Sequence, residues 1–116
     1  PRNLAPQELS CAEGVSNVIH SVFPEFPADV VGTATLFAEL KRSHLFKGVL
    51  DPKEGTVVVA PRTETTPGHC GVYVRPNVIA SNDSRSGLFD ENYTRESWRA
   101  TFIKGRGLKG FLFTPL

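Results

Sequence analysis

Up to about residue 50 the apolar positions of this chain recur at helical spacing, and beyond it they come in short β-branched or alternating runs. Val15, Val18, Ile19 and Val22 follow Cys11 at the first of these periods, so a helix is predicted from residue 11 to about 23, ended by Pro24. Its start is read from Ser10-Cys11-Ala12-Glu13 as a capping box. The Ser10 hydroxyl accepts from the amide of residue 13, and Glu13 reaches back to the amide of residue 10. Cys11 is then the first helical residue, at the tip of the buried stripe. Glu25-Phe26-Pro27-Ala28 is a connector. A second helix is predicted from Thr33 or Thr35 to Ser43, with Leu36, Phe37 and Leu40 as its stripe. Residues 45–50 form a less regular apolar patch, and Asp51-Pro52-Lys53-Glu54-Gly55 has the composition of a turn.

The second half reads as strands. Thr56-Val57-Val58-Val59-Ala60 is β-branched and nearly all apolar, as a buried strand is. After a polar loop over 61–68, Gly68-His69-Cys70-Gly71-Val72-Tyr73-Val74 reads as a turn entering a strand. Alternation puts His69, Gly71 and Tyr73 on one face and Cys70, Val72 and Val74 on the other, apolar one. A turn at Arg75-Pro76-Asn77 leads into a strand over 78–82, then a polar loop over 83–92 and a helical turn over 94–99. Strands over 100–103 and 111–114, separated by Gly105-Arg106-Gly107, close the sheet. Helices first and antiparallel strands afterwards predict an α+β fold, with the N-terminal helices packed on one face of the sheet.

At 116 residues the chain is expected to be one domain, with residues 1–9 as a lead-in. It should bury roughly two thirds of its unfolded surface without metal or disulfide staples. Thirteen basic and twelve acidic residues leave a net charge of +1, which names no nucleic-acid partner. The charge is uneven. Residues 1–39 set Arg2 against Glu8, Glu13, Glu25, Asp29 and Glu39, and residues 95–109 set Arg95, Arg99, Lys104, Arg106 and Lys109 against Glu96. The basic end suits an anionic polymer, although a solvated loop face gives the same pattern. No apolar run approaches the ~20 residues that span a bilayer. The chain starts at Pro1 and contains no methionine, so it is expected to be processed or cut from a larger parent polypeptide. Two cysteines are too few for a disulfide scaffold, and no paired spacing suggests zinc; neither metal nor cofactor is expected.

The reactive side chains then stand out. A cysteine at a helix N-terminus meets unpaired amides and the helix dipole, both of which favour a thiolate. An adjacent imidazole lowers its pKa further. His69, at the mouth of a strand beside Gly71, is the candidate base. His20 is too far along the same helix to pair with Cys11 and reads as a surface histidine, and His44 reads as a C-terminal cap of the second helix. The histidine needs a polar group to fix its tautomer. Asn82, at the end of the next strand, is the candidate, with Asp83 in its place if the register shifts by one. Alternation points Cys70 away from His69, so both thiols are expected to be free.

These features together resemble the NlpC-type and CHAP-type cysteine peptidases, papain-like enzymes that cut peptidoglycan. The likeness runs from about residue 9 to 114 and is most specific at Gly68-His69-Cys70-Gly71-Val72-Tyr73. The chain departs from the NlpC pattern at Ser10-Cys11-Ala12-Glu13, where Asp-Cys-Ser-Gly is usual, and at Gly55-Thr56-Val57, where Gly-Asp-Leu is usual. The resemblance implies a papain-like fold and acyl transfer, with Cys11 as nucleophile, His69 as base and Asn82 as orienting residue. The Cys11 amide at the helix start would donate to the oxyanion. Tyr73 would line the pocket or serve as a framework aromatic, and Arg85 would meet a substrate carboxylate or remain a solvated loop arginine. The implied partner is bacterial peptidoglycan through its stem peptides, with an inhibitor or immunity protein as a further one. The implied setting is the bacterial cell wall, reached by secretion, by injection or as part of a phage. The alternatives are the same chemistry on another amide, and an inactive relative that binds cell wall.

Overall fold

The computed structural model describes residues 6–82 and 89–116, the first five of these by backbone alone. Helix α1 spans Pro6–Val22. Among the described residues it is already helical four residues before the predicted capping box, at Pro6. Cys11 therefore lies in the second turn and is not the first helical residue. The buried stripe of α1 is Cys11, Ala12, Val15, Ser16 and Ile19, while Val18 and Val22, expected on it, are 40% and 66% exposed. The stripe tilts toward Ser16 because that buried hydroxyl is fully used. It donates to the Glu13 carbonyl at 3.0 Å and accepts from the Val30 amide at 2.9 Å, which ties the connector back onto α1. Helix α2 spans Thr33–Arg42 and buries Thr33, Leu36 and Leu40.

Six strands follow: β1 Phe46–Val49, β2 Val57–Ala60, β3 His69–Arg75, β4 Val78–Asn82, β5 Phe89–Tyr93 and β6 Phe111–Pro115. They form one sheet in the order β1-β6-β2-β3-β4-β5, and every pairing is antiparallel. Two strands were not expected. The apolar patch over 45–50 is β1, and the end of the supposed polar loop over 83–92 is β5. One expected strand is absent, because residues 100–103 are helical. Thr94 and Ser97 form a reciprocal capping box that starts helix α3, Arg95–Trp98, and this runs directly into a π-helical segment, Arg99–Gly105. Trp98 and Phe102, four residues apart, are thereby both set down on the sheet, each 2% exposed.

The sheet is consequently covered on both faces, not on one. Residues Cys11, Val15 and Ile19 of α1 and Leu36 and Leu40 of α2 pack with Val57, Val59, Cys70 and Phe113 on the first face. On the second, Trp98, Phe102 and Leu108 pack with Val58, Ala60, Tyr73 and Ile79. The alternation along β2 (Val57 and Val59 against Val58 and Ala60) is what a fully buried central strand requires. Among the described residues, no helix is long and apolar enough to cross a membrane.

The entry to β3 is the most tightly built point. A Cβ on Gly68 would lie 2.2 Å from the Ala60 carbonyl oxygen, 2.5 Å from Thr33 Oγ1 and 2.6 Å from the Arg62 amide nitrogen. Thr33 Oγ1 is fixed there by accepting from that same amide at 2.9 Å. Gly68→Ala should therefore cost about 2 kcal/mol or more in urea unfolding, because backbone must move to admit the methyl group. Gly48→Ala, whose Cβ would meet nothing nearer than Leu112 O at 4.0 Å, should stay within about 0.5 kcal/mol of wild type.

Candidate active site

His69 is the first residue of β3, and the expected alternation holds there. His69 and Tyr73 face the π-helical segment, and Cys70 and Val72 face α1. The imidazole stacks on Phe102 with ring centroids 4.6 Å apart and planes 19° from parallel, and Tyr93 meets it edge-on at 5.9 Å. Gly71 keeps the next position on that face empty. A Cβ there would come within 2.7 Å of the Ile79 side chain and the Ala80 carbonyl, and 3.2 Å of Ser81 Cβ.

Cys11 reaches this histidine from α1. Its thiol makes side-chain hydrogen bonds with Cys70 and with His69. Cys70 does point away from the face of His69, but that turns it toward α1 and beside Cys11. Neither cysteine is in a disulfide, and Cys11 is fully buried. The Cys11 pKa falls to about 6. The hydrogen bond from the Cys70 side chain contributes most, burial opposes it, and the hydrogen bond and charge of His69 add to the lowering. The helix dipole, invoked on the sequence alone, is not the cause; its influence fades within the first turn, and Cys11 is already past it.

The residue that hydrogen-bonds the His69 ring is Ser81, and Asn82 lies on the other face. Val72 pairs with Ala80, so Ser81 shares the face of His69 and Gly71 while Asn82 shares that of Cys70. Asn82 accordingly lies toward α1, with Oδ1 3.8 Å from where a Gly14 Cβ would be. Ser81 Oγ is 3.0 Å from His69 Nε2 and donates to Asn92 Oδ1 at 2.8 Å. This fixes the tautomer. A hydroxyl has one proton, and Ser81 gives it to Asn92, so it accepts from His69. His69 then carries its proton on Nε2, and the Nδ1 lone pair is left for the Cys11 thiol. Asn92 owes its position to a bulge. Ile79 pairs with Tyr93 and Ala80 with Glu91, so Asn92 is the extra residue of β5. Ser81 was within reach of sequence reasoning, since strand alternation with Gly71 opposite picks it out. A bulged asparagine in a segment read as a loop was not.

Other expected site residues fall elsewhere. Tyr73 is 2% exposed and lies four residues along β3 from His69, roughly 13 Å by strand rise. Asp83 and Arg85 lie outside the described residues. The Cys11 amide is no oxyanion donor, because as the sixth residue of α1 it bonds within the helix. His20 is not a free surface histidine; it is half-buried, with Nδ1 2.6 Å from the Phe26 carbonyl oxygen. His44 is exposed and faces Glu25 at 3.8 Å, and the C-terminal cap of α2 is Ser43. Among the described residues, no group of three metal-ligating side chains comes together.

No family model matches the chain, and no curated protein matches it.

The pair is open to direct titration. The thiolate absorbance of wild type, less that of Cys11→Ala, should rise with a midpoint near pH 6. Cys70→Ala and His69→Ala should each move the midpoint upward, and Asn82→Ala should leave it in place. A wild-type midpoint in the ordinary thiol range, about 8.5, would show that the pair does not form.

Proposed function

We propose that this chain is a cysteine hydrolase that cleaves an amide bond in the stem peptides of bacterial peptidoglycan. The observation that supports catalysis is the ordered chain Cys11–His69–Ser81–Asn92, in which each group's proton has one direction. The peptidoglycan substrate rests on the resemblance carried by residues 68–73 to the NlpC-type and CHAP-type enzymes.

The reaction follows from the tautomer. Nδ1 of His69 takes the Cys11 proton, and the imidazolium is held by its Nε2–H donating to Ser81. The thiolate adds to the amide carbonyl carbon. The C–N bond then breaks as Nδ1 returns the proton to the leaving amine, which leaves a thioester on Cys11. Water, giving its proton to Nδ1, attacks the thioester; the carboxylic acid leaves and the thiol is restored.

A second reading has an observation of its own. Cys11 has no exposed surface, as suits a relative that binds cell wall without turning it over. Purified peptidoglycan incubated with the protein separates the two. Wild type should release soluble fragments, and mass spectrometry of their new amine and carboxyl ends names the bond. Cys11→Ala should lose on the order of 10³-fold or more of this rate, and Ser81→Ala should lose more than Asn82→Ala. Equal release by wild type and Cys11→Ala would refute the hydrolase, and binding without release would favour the second reading.

A further inference from the structure

The second face of the sheet carries a feature that the thiol site does not use. An open cleft of about 980 Å³ lies over Val58, Tyr73 and Leu112, with Trp98 in its wall. Four cations line it, Lys41, Arg95, Arg99 and Lys109, and none of its lining residues is acidic. Among the described residues none of the four enters an ion pair. Arg95 and Arg99 stand one helical turn apart on either side of Trp98. Both guanidinium groups are close enough to Tyr73 to oppose the upward shift that burial gives its phenol.

Trp98 supplies an independent sign. It is 2% exposed, and its Nε1–H is buried without a hydrogen-bond partner. Native interiors rarely leave a donor so, and Trp98 stands in the wall of the cleft. An apolar floor and unpaired cations select a ligand with an apolar body and an anionic head.

We infer that this cleft is a binding site for an amphipathic carboxylate, with its apolar body on Val58, Tyr73 and Leu112 and its head between Arg95 and Arg99. None of Cys11, His69, Ser81 and Asn92 lines it.

Trp98 is the only tryptophan in the chain, so the fluorescence comes from the wall of the cleft. Titration with decanoate below its micelle threshold should give a saturable change, and 1-decanol should bind much more weakly. Calorimetry should show Arg95→Gln/Arg99→Gln raising the Kd at least about tenfold, the loss expected when charge-assisted hydrogen bonds to a carboxylate are removed. Arg99 is exposed and Arg95 half-buried, and an unchanged Cys11 thiolate midpoint in the double variant would show that the fold is intact. The inference is overturned if decanoate gives no saturable change, if decanol binds as tightly, if the double variant keeps the wild-type Kd, or if the fluorescence responds only to vesicles of anionic phospholipid.

Discussion

The close packing at the entry to β3, against the end of β2 and the start of α2, governs this structure. Gly68 lets the chain pass against Ala60, Thr33 and Arg62 at distances that no side chain permits. That passage fixes where β3 begins. Because side chains alternate strictly, it also fixes that His69 faces the π-helical segment and Cys70 faces α1. A slip of one residue would exchange them, placing an imidazole in the aliphatic core beside Val57 and Val59 and a thiol against Phe102. The register of β3 thus settles the core packing on both faces and the identity of every group around Cys11.

The same constraint explains what the sequence disclosed. The helices, the central strands and the two faces of β3 follow from local periodicity, and Cys11 and His69 stood out because their types and settings are unusual. The third residue required a pairing register, which is not local: Asn82 is the more conspicuous polar side chain, yet Ser81 is the one on the right face. The start of α1 was misplaced because Ser10-Cys11-Ala12-Glu13, a capping pattern by composition, lies inside a helix that already includes Pro6. Residues 100–103 were read as a strand because their apolar pattern over four positions does not distinguish the periods. The capping box at Thr94 and Ser97, which does distinguish them, lies upstream.

The two faces of the sheet also divide the chemistry. The first buries the thiols among aliphatic and phenylalanine side chains under α1 and α2. The second carries the aromatic cluster of His69, Tyr93, Trp98 and Phe102 and, through Arg95 and Arg99, part of the excess positive charge of residues 95–109. That basic stretch, read from the sequence as a surface for an anionic polymer or as a solvated face, partly lines a concave apolar cleft instead. Arg106 is spent differently, with its guanidinium over Phe102 and a hydrogen bond to the Pro67 carbonyl. It braces the ring on which His69 stacks.

A fully buried cysteine is ordinarily a small apolar residue, and packing alone asks nothing more of it. The surroundings of Cys11 do not match that role. Burial raises a thiol's pKa, yet the hydrogen bonds from Cys70 and His69 more than offset this and bring it down to about 6. Holding an imidazole, a hydroxyl and an amide in line behind the thiol costs desolvation that apolar side chains of the same volume would avoid. Each of the three is bonded to the next, and the bulge in β5 places the last of them. A polar chain maintained in a protein interior against the simpler apolar alternative is understandable if the protonation state of its first member matters. That is the physical reason to read Cys11 as the candidate nucleophile of the proposed hydrolase, and not as filler in the core.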